Sequence, residues 1–121
     1  GGARLPWWRG VRETLGGLSV GSPKLDLIHV EGIDDLQTLR QDLSERTSIN
    51  FSRTSAGLIA YTKVRLEVYA IPMRWSEEVT CTKEEGVVVQ FQRGTESVQL
   101  HMKASASAEA KFRAWFEHAG Q

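Results

Sequence analysis

The chain has 121 residues, of which 40% are hydrophobic and 25% are charged. This length and composition predict one domain with its own core, and they exclude a disordered chain, which would combine low hydrophobicity with high net charge. The fifteen basic residues balance the fifteen acidic ones. This balance excludes the global positive field that captures nucleic acid, so we expect no nucleic-acid partner.

Two features of the sequence bear on where the protein works. Cys81 is the only cysteine, which excludes an intramolecular disulfide and a cysteine-rich zinc site. No apolar run reaches the roughly 18 to 20 residues that a transmembrane helix needs, and no secretory signal is visible. We therefore expect an intracellular protein, either cytoplasmic or peripherally bound to a membrane. We interpret the start at Gly1, without a Met, as the edge of a domain excised from a larger protein.

The first third of the chain contains a lead-in, a strand and a helix. Residues 1–23 are rich in glycine and proline around a stretch that fits two helical turns, and we predict an N-terminal lead-in there. Residues 24–121 are then the single α+β domain. Residues 24–30 are rich in branched aliphatic side chains and predict the first strand. Residues 33–45 repeat isoleucine and leucine at helical spacing and predict a helix.

The middle of the chain alternates apolar and polar residues with a period of two, which is typical of strands. Residues 57–71 predict one long strand that bends midway or curls around a barrel-like core, and Pro72 is expected to end it. Residues 75–82 predict another strand, with Val79 and Cys81 on the same face.

A hairpin is predicted from residues 87–93 and 96–103, which alternate in the same way on both sides of the short Gly94-Thr95 link. Directly opposite residues of a hairpin share one face of the sheet. We therefore expect one apolar face built from Val87, Val89 and Phe91 packed beside Val98, Leu100 and Met102.

The C-terminus predicts an amphipathic helix that starts at Ser105 or Ser107, either of which can cap it, and ends near His118, with Gly120 beyond its end. The predicted fold is an α+β domain in which about five to seven strands form a curled, partly closed antiparallel sheet. One helix follows the first strand, and the C-terminal helix packs on the sheet. Its apolar stripe consists of Ala108, Phe112, Trp115, Phe116 and Ala119.

No group of residues in the sequence has the spacing of a catalytic or metal site. His29 and His101 lie on predicted strands, and with Glu31 or the Glu77-Glu78 pair they would suit acid–base or metal chemistry if the fold brought them together. Because no metal-ligand spacing is present, we interpret both histidines as ordinary surface residues. We interpret Cys81 as a small buried hydrophobe. The sequence therefore predicts a non-enzymatic protein without catalytic residues, cofactor or bound metal.

The N-terminal segment is a first candidate binding surface. Trp7, Trp8 and Arg9 lie in a stretch that combines aromatic and basic residues. Paired tryptophans beside arginines suit an anchor at the surface of an anionic membrane, because indole rings lie well at the headgroup level. The alternative is that both tryptophans pack on the edge of the domain core.

The polar face of the predicted sheet is a second candidate. Lys63 and Arg65 would join Arg93 and Lys103 in a basic patch if their strands were neighbours. A basic patch on a curved sheet suits phosphate groups. The alternative is a mixed, solvated face, because acidic residues interrupt the basic ones.

Two segments resemble the kinase-associated 1 domain and, more loosely, the pleckstrin-homology superfamily. Residues 64–72, VRLEVYAIP, are similar to that family's strand ending in proline, and residues 86–94, GVVVQFQRG, precede the terminal strand and helix in the same way. The resemblance implies a domain that binds acidic phospholipid head groups or docks on a partner, in some members holding a neighbouring kinase domain inactive.

Three hypotheses for the function follow. The first is a docking domain that binds a protein partner or acidic phospholipid head groups. The second is a helix-grip-like domain that encloses a small apolar ligand between its curved sheet and the aromatic side chains of the C-terminal helix. The third is a structural domain of a larger assembly, which predicts an exposed apolar patch.

Overall fold

The computed structural model describes residues 8–9, 21–33, 47–64 and 67–120. These residues form one antiparallel sheet and a C-terminal α-helix, which confirms the α+β class. A short 3₁₀ helix, Trp75–Glu77, links two of the strands. The strands are β1 (Trp8–Arg9), β2 (Leu25–Glu31), β3 (Thr47–Arg53), β4 (Gly57–Val64), β5 (Glu67–Arg74), β6 (Thr80–Lys83), β7 (Val87–Arg93) and β8 (Glu96–Lys103), and the helix is α1 (Ala106–Ala119).

The strands lie in the order β1-β5-β4-β3-β2-β8-β7-β6. β2, an early strand, therefore lies in the middle of the sheet, with β3 on one side and the last strand on the other. Among the described residues no pairing joins β1 to β6, so the sheet is open, and the prediction of a partly closed sheet was wrong. The sheet includes the two residues of β1, which belong to the predicted lead-in.

The predicted long strand over residues 57–71 is instead a hairpin, in which β4 and β5 pair from Gly57 opposite Arg74 to Val64 opposite Glu67. The alternation continues through the reversal without a glycine or proline there, so periodicity alone could not reveal it. Pro72 does not end the strand. β1 pairs with β5 only at Tyr69 and Ala70 in the described part, so Pro72 lies outside that ladder, where a missing N–H is tolerated.

The predicted strand over residues 75–82 was wrong in its first half. Trp75–Glu77 form the 3₁₀ helix, and Glu78 adopts the left-handed conformation at its end, with a φ of 57°. The carboxylate of Glu77 accepts a hydrogen bond from the backbone N–H of Arg74 at 2.9 Å, which closes the turn. The second half was right: β6 follows, and both Val79 and Cys81 pack against the core.

The predicted hairpin of β7 and β8 is confirmed in its full register. Val87, Val89 and Phe91 lie opposite Met102, Leu100 and Val98, and all six side chains are buried. Gly94 takes a φ of +64° in the two-residue turn, a conformation that glycine adopts without steric cost.

The core lies between one face of the sheet and α1. Ser105 caps the helix, because its hydroxyl accepts a hydrogen bond from the Ala108 N–H at 3.1 Å, and Phe112 and Ala119 are buried as predicted. The Phe112 ring lies 5.2 Å from that of Phe51 on β3, edge to face. Residues 34–46 lie outside the described part, so the helix predicted over 33–45 stays a prediction. No helix in the described ranges is long and apolar enough to span a bilayer.

Candidate docking surface

The outer face of the sheet, the face turned away from α1, is the candidate functional surface. Along β2, β8 and β7 most apolar side chains enter the core and most alternate positions carry hydrophilic ones. Val88 on β7 is an exception, because it is apolar and buried but lies opposite His101 on the outer face. An antiparallel sheet commonly has one buried and one solvated face, but here the outer face also contains the buried residues Tyr61, Ala70 and Val88. The central hydrophilic side chains of this face are Asp26, His29, Glu31, Gln90, Gln99 and His101.

Five of these residues form a row, joined by hydrogen bonds and one ring contact, that we call the polar ladder: Glu31, His29, His101, Gln99 and Gln90. His29 lies directly opposite His101, and their rings meet edge to face with centroids 5.2 Å apart. Nε2 of His29 lies 3.3 Å from Oε1 of Glu31, and Nε2 of His101 lies 2.9 Å from Oε1 of Gln99. The Gln99 amide donates to Oε1 of Gln90 at 3.2 Å.

A β-bulge at Ile28 creates this arrangement. Leu27 lies opposite Met102 and His29 opposite His101, so Ile28 is an extra residue on β2. Without the bulge, His29 would share the inward phase of Leu25 and Leu27. The extra residue shifts the phase, so that Val30 enters the core and His29 turns outward, leaving Ile28 38% exposed. Bulges often re-aim side chains at functional sites.

A second group on the outer face, the lysine row, crosses four strands near one end of the sheet: Lys63, Ser48, Asp26 and Lys103. Asp26 lies opposite Ser48 on one side and opposite Lys103 on the other. Lys63 follows Thr62, the partner of Ile49, and so lies next to Ser48. Both lysines are exposed. Three strand spacings separate their backbones by about 14 Å.

The structure does not bring Arg93 to this row. Arg93 lies at the opposite end of the β7–β8 hairpin from Lys103, about 20 Å along the strand. Its Nε donates to Oε2 of Glu77 at 2.7 Å, and its Nη2 donates to Oε1 of Glu77 at 2.8 Å and to the Pro72 carbonyl at 2.9 Å. Its guanidinium carbon also lies 5.2 Å from the centroid of the Phe91 ring. These hydrogen bonds of Arg93 hold the 3₁₀ helix against the sheet.

The remaining predicted binding residues are only partly placed. Trp7 and Arg65 lie outside the described residues. The backbones of Trp8 and Arg9 form β1 and pair with Ala70 and Tyr69. Their role in binding, like that of Lys63 and Lys103, stays a prediction.

The histidine pair is the feature that the sequence analysis missed. The alternation along β8 placed His101 on the outer face, but only the position of β2 beside β8 and the bulge at Ile28 put His29 next to it. The local signal that could have indicated it is the three-residue interval between Leu27 and Val30, which are both buried and break the period of two.

Cys81 is partly buried under α1, and this burial raises the pKa of its thiol to about 11. Arg113 lowers that pKa and Glu117 raises it, both by smaller amounts. Because the thiolate is the reactive form, we expect Cys81 in the folded protein to react with iodoacetamide at mildly alkaline pH about a hundredfold more slowly than in the urea-unfolded chain. The measurement is the alkylation rate by mass spectrometry. Equal rates in both states would contradict the buried placement.

Neither the described geometry nor the comparisons indicate an enzyme class. In the described part of the chain, no group of three or more histidine, cysteine or acidic side chains is arranged to hold a metal ion. Glu77, a possible partner for a histidine on sequence grounds, pairs with Arg93 instead. Comparisons with protein-family models, with curated proteins and with solved structures found no match. The likeness to the kinase-associated 1 domain thus stays a prediction, and in its first segment β5 continues past Pro72 to Arg74.

Proposed function

We propose that this domain is a non-enzymatic docking module whose outer face binds a protein partner. The proposal rests on one observation: the polar ladder and the lysine row lie next to each other on the outer face of the sheet. His29 is 44% and Glu31 55% exposed in their side chains, and both lysines of the row are exposed. These groups offer hydrogen-bond donors, acceptors and positive charge to a partner that presents carboxylate and amide groups.

The distribution of charge favours a protein over an anionic membrane. Binding to acidic head groups requires several basic side chains close together. Here Asp26 lies between Lys103 and Lys63 in the row, and Arg93 is paired with Glu77. Side chains such as histidine and glutamine both donate and accept hydrogen bonds. Protein interfaces outside obligate complexes are about as polar as ordinary surface, so the outer face suits a protein partner.

Reversing the charge of the lysine row tests the docking surface. The partner protein is first captured with the wild-type domain and purified. We expect the Lys63→Glu/Lys103→Glu variant to bind this partner about tenfold or more weakly, because like charges would then meet. The melting temperature should hardly change, since both residues are exposed. The matched control is Lys111→Glu on the exposed side of α1, which should bind like the wild type.

The same proteins are tested for flotation with neutral and anionic vesicles. We expect no selective flotation on anionic vesicles. Flotation that the double variant loses would assign the surface to lipid instead, and partner binding that the double variant retains at wild-type affinity would remove the lysine row from the site.

The second hypothesis, an enclosed apolar ligand, is supported by one observation: α1 crosses a continuous sheet, and partly buried aromatic side chains lie at their junction. Trp75 and Phe116 meet there with ring centroids 6.0 Å apart. Phe51, Phe112 and Trp115 already contact one another in this layer, which favours the docking surface. A fluorescent fatty acid whose emission rises on saturable binding would support the enclosed ligand.

The third hypothesis gains no support, because Ile28 is the only exposed large hydrophobic residue in the described part.

A further inference from the structure

We propose that His29 and His101 together bind a divalent transition-metal ion of the class that prefers imidazole ligands, represented by Ni²⁺, Cu²⁺ and Zn²⁺. The inference is independent of the docking proposal. It rests on the central part of the polar ladder, where two histidines, one carboxylate and one amide occupy neighbouring positions on β2 and β8.

The pairing of the strands brings two possible ligand nitrogens together. His29 and His101 are directly opposite each other, and so are Glu31 and Gln99. Each histidine directs its Nε2 toward the oxygen of the residue two positions along its own strand, at 3.3 Å and 2.9 Å respectively. Because the strands are antiparallel and the two pairs are in register, both Nε2 atoms face the Glu31–Gln99 pair.

The distances suit one shared ion. Opposite residues of an antiparallel pair have Cβ atoms about 4.5 to 5.5 Å apart, and the two imidazole centroids are 5.2 Å apart. A metal ion bound by two imidazoles at about 2.0 to 2.1 Å requires its two nitrogens to lie about 3 to 4 Å apart. In the proposed site, rotations of the exposed His29 ring and the half-buried His101 ring bring the nitrogens to this separation without moving the backbone.

The surroundings of the pair also suit a cation. Metal binding replaces the hydrogen bonds at the ligating nitrogens. A neutral imidazole then carries its proton on the other ring nitrogen, whereas an imidazolium releases one proton to solvent. The Glu31 carboxylate then lies beside the ion, where it can act as an oxygen ligand or accept a hydrogen bond from coordinated water. The exposure of His29 and Glu31 gives the ion direct entry from solvent.

The site differs from a structural metal centre. The described residues contain no preformed group of three histidine, cysteine or acidic ligands, so two imidazoles supply the main bonds and water fills the other positions. Such a site is exchangeable, and its affinities should follow the usual order for nitrogen ligands, with Cu²⁺ bound most tightly.

The test is calorimetric titration of the folded domain with Ni²⁺. We expect one ion per chain, and a loss of affinity of about tenfold or more in both His29→Gln and His101→Gln. The matched control is His118→Gln, because His118 is the chain's only other histidine and lies exposed on α1. That variant should bind like the wild type. Wild-type affinity in either pair variant, or loss in the His118 variant alone, would overturn the proposal.

A second measurement uses the wild-type protein, so it does not depend on the folding of any variant. Imidazole resonances followed by NMR during Zn²⁺ addition should shift for His29 and His101 together, and not for His118. A shift confined to one member of the pair, or no shift of either at saturating Zn²⁺, would refute a shared site. The Lys63→Glu/Lys103→Glu variant should still bind Ni²⁺, so failure of docking and failure of metal binding are distinguishable.

Discussion

Phe112→Ala is expected to lower the free energy of unfolding by about 3 to 5 kcal/mol, the largest effect that we expect of a single substitution in this domain. Phe112 is fully buried, and its ring contacts those of Phe51 and Trp115 at centroid distances of 5.2 Å and 5.9 Å. Removing it leaves a cavity where α1 meets the sheet, and rigid strands on one side limit how far the surroundings can collapse.

Urea unfolding followed by tryptophan fluorescence measures this change. The control is Phe116→Ala, four residues along the same helix, where the side chain is only partly buried. We expect a clearly smaller loss for the control. A loss below about 1 kcal/mol for Phe112→Ala would show that α1 does not close the core through this side chain.

Glu77→Gln is expected to lower the free energy of unfolding by about 2 kcal/mol near neutral pH, because it removes a charge-assisted, two-point hydrogen bond to Arg93. Both side chains are about four-fifths buried, so solvent does little to replace the lost partner. The matched control is Glu78→Gln, the next residue, which is exposed and should leave the stability within about 0.5 kcal/mol of the wild type.

The effect of Glu77 should depend on pH in a defined direction. The hydrogen bond from Arg93 holds the pKa of this carboxyl below its ordinary value of 4.5, against the opposing effect of burial. A carboxyl whose pKa is lower in the folded state stabilises the fold above the unfolded pKa, and this stabilisation is lost as the pH falls through the folded pKa. The difference between the wild type and Glu77→Gln should therefore shrink as the pH is lowered below 4.5. A constant difference down to strongly acidic pH would contradict the ion pair.

The parts of the fold that were predictable depend on signals close together in the chain. The β7–β8 hairpin follows from two alternating runs around Gly94-Thr95. The C-terminal helix follows from its apolar stripe and from the serine that caps it. In both cases neighbouring residues determine the geometry, so no knowledge of distant strands was needed.

The parts that were missed depend on small departures from a regular pattern. The reversal between Val64 and Glu67 keeps the alternation intact and carries no glycine or proline, so the pattern predicts one strand. The bulge at Ile28 inserts a single residue and thereby exchanges the two faces of β2 beyond it. A one-residue shift of this kind moves side chains to the other face, and its local sign is the three-residue interval between Leu27 and Val30.

The candidate site shows the same limit. Lys63 and Lys103 lie in one row because the register of β3 and β2, the two strands between theirs, aligns them. Arg93, in contrast, lies at the far end of its hairpin. That arrangement depends on the order of strands in space, which pairs segments about seventy residues apart, such as β2 and β8. Along β8 the residue types of the two faces follow from the alternation, but on β2 and β5 they do not, because the bulge and the chain reversal change the phase.

Site-specific photo-crosslinking tests the docking surface most directly. A photoreactive phenylalanine analogue is placed at Gln99, in the middle of the outer face, and in a separate protein at Ala114, which is exposed on α1. We predict a discrete adduct with one partner protein from position 99 that is absent from position 114, and that excess unlabelled wild-type domain suppresses. Adducts of equal yield from both positions, or from position 114 alone, would contradict docking through the outer face.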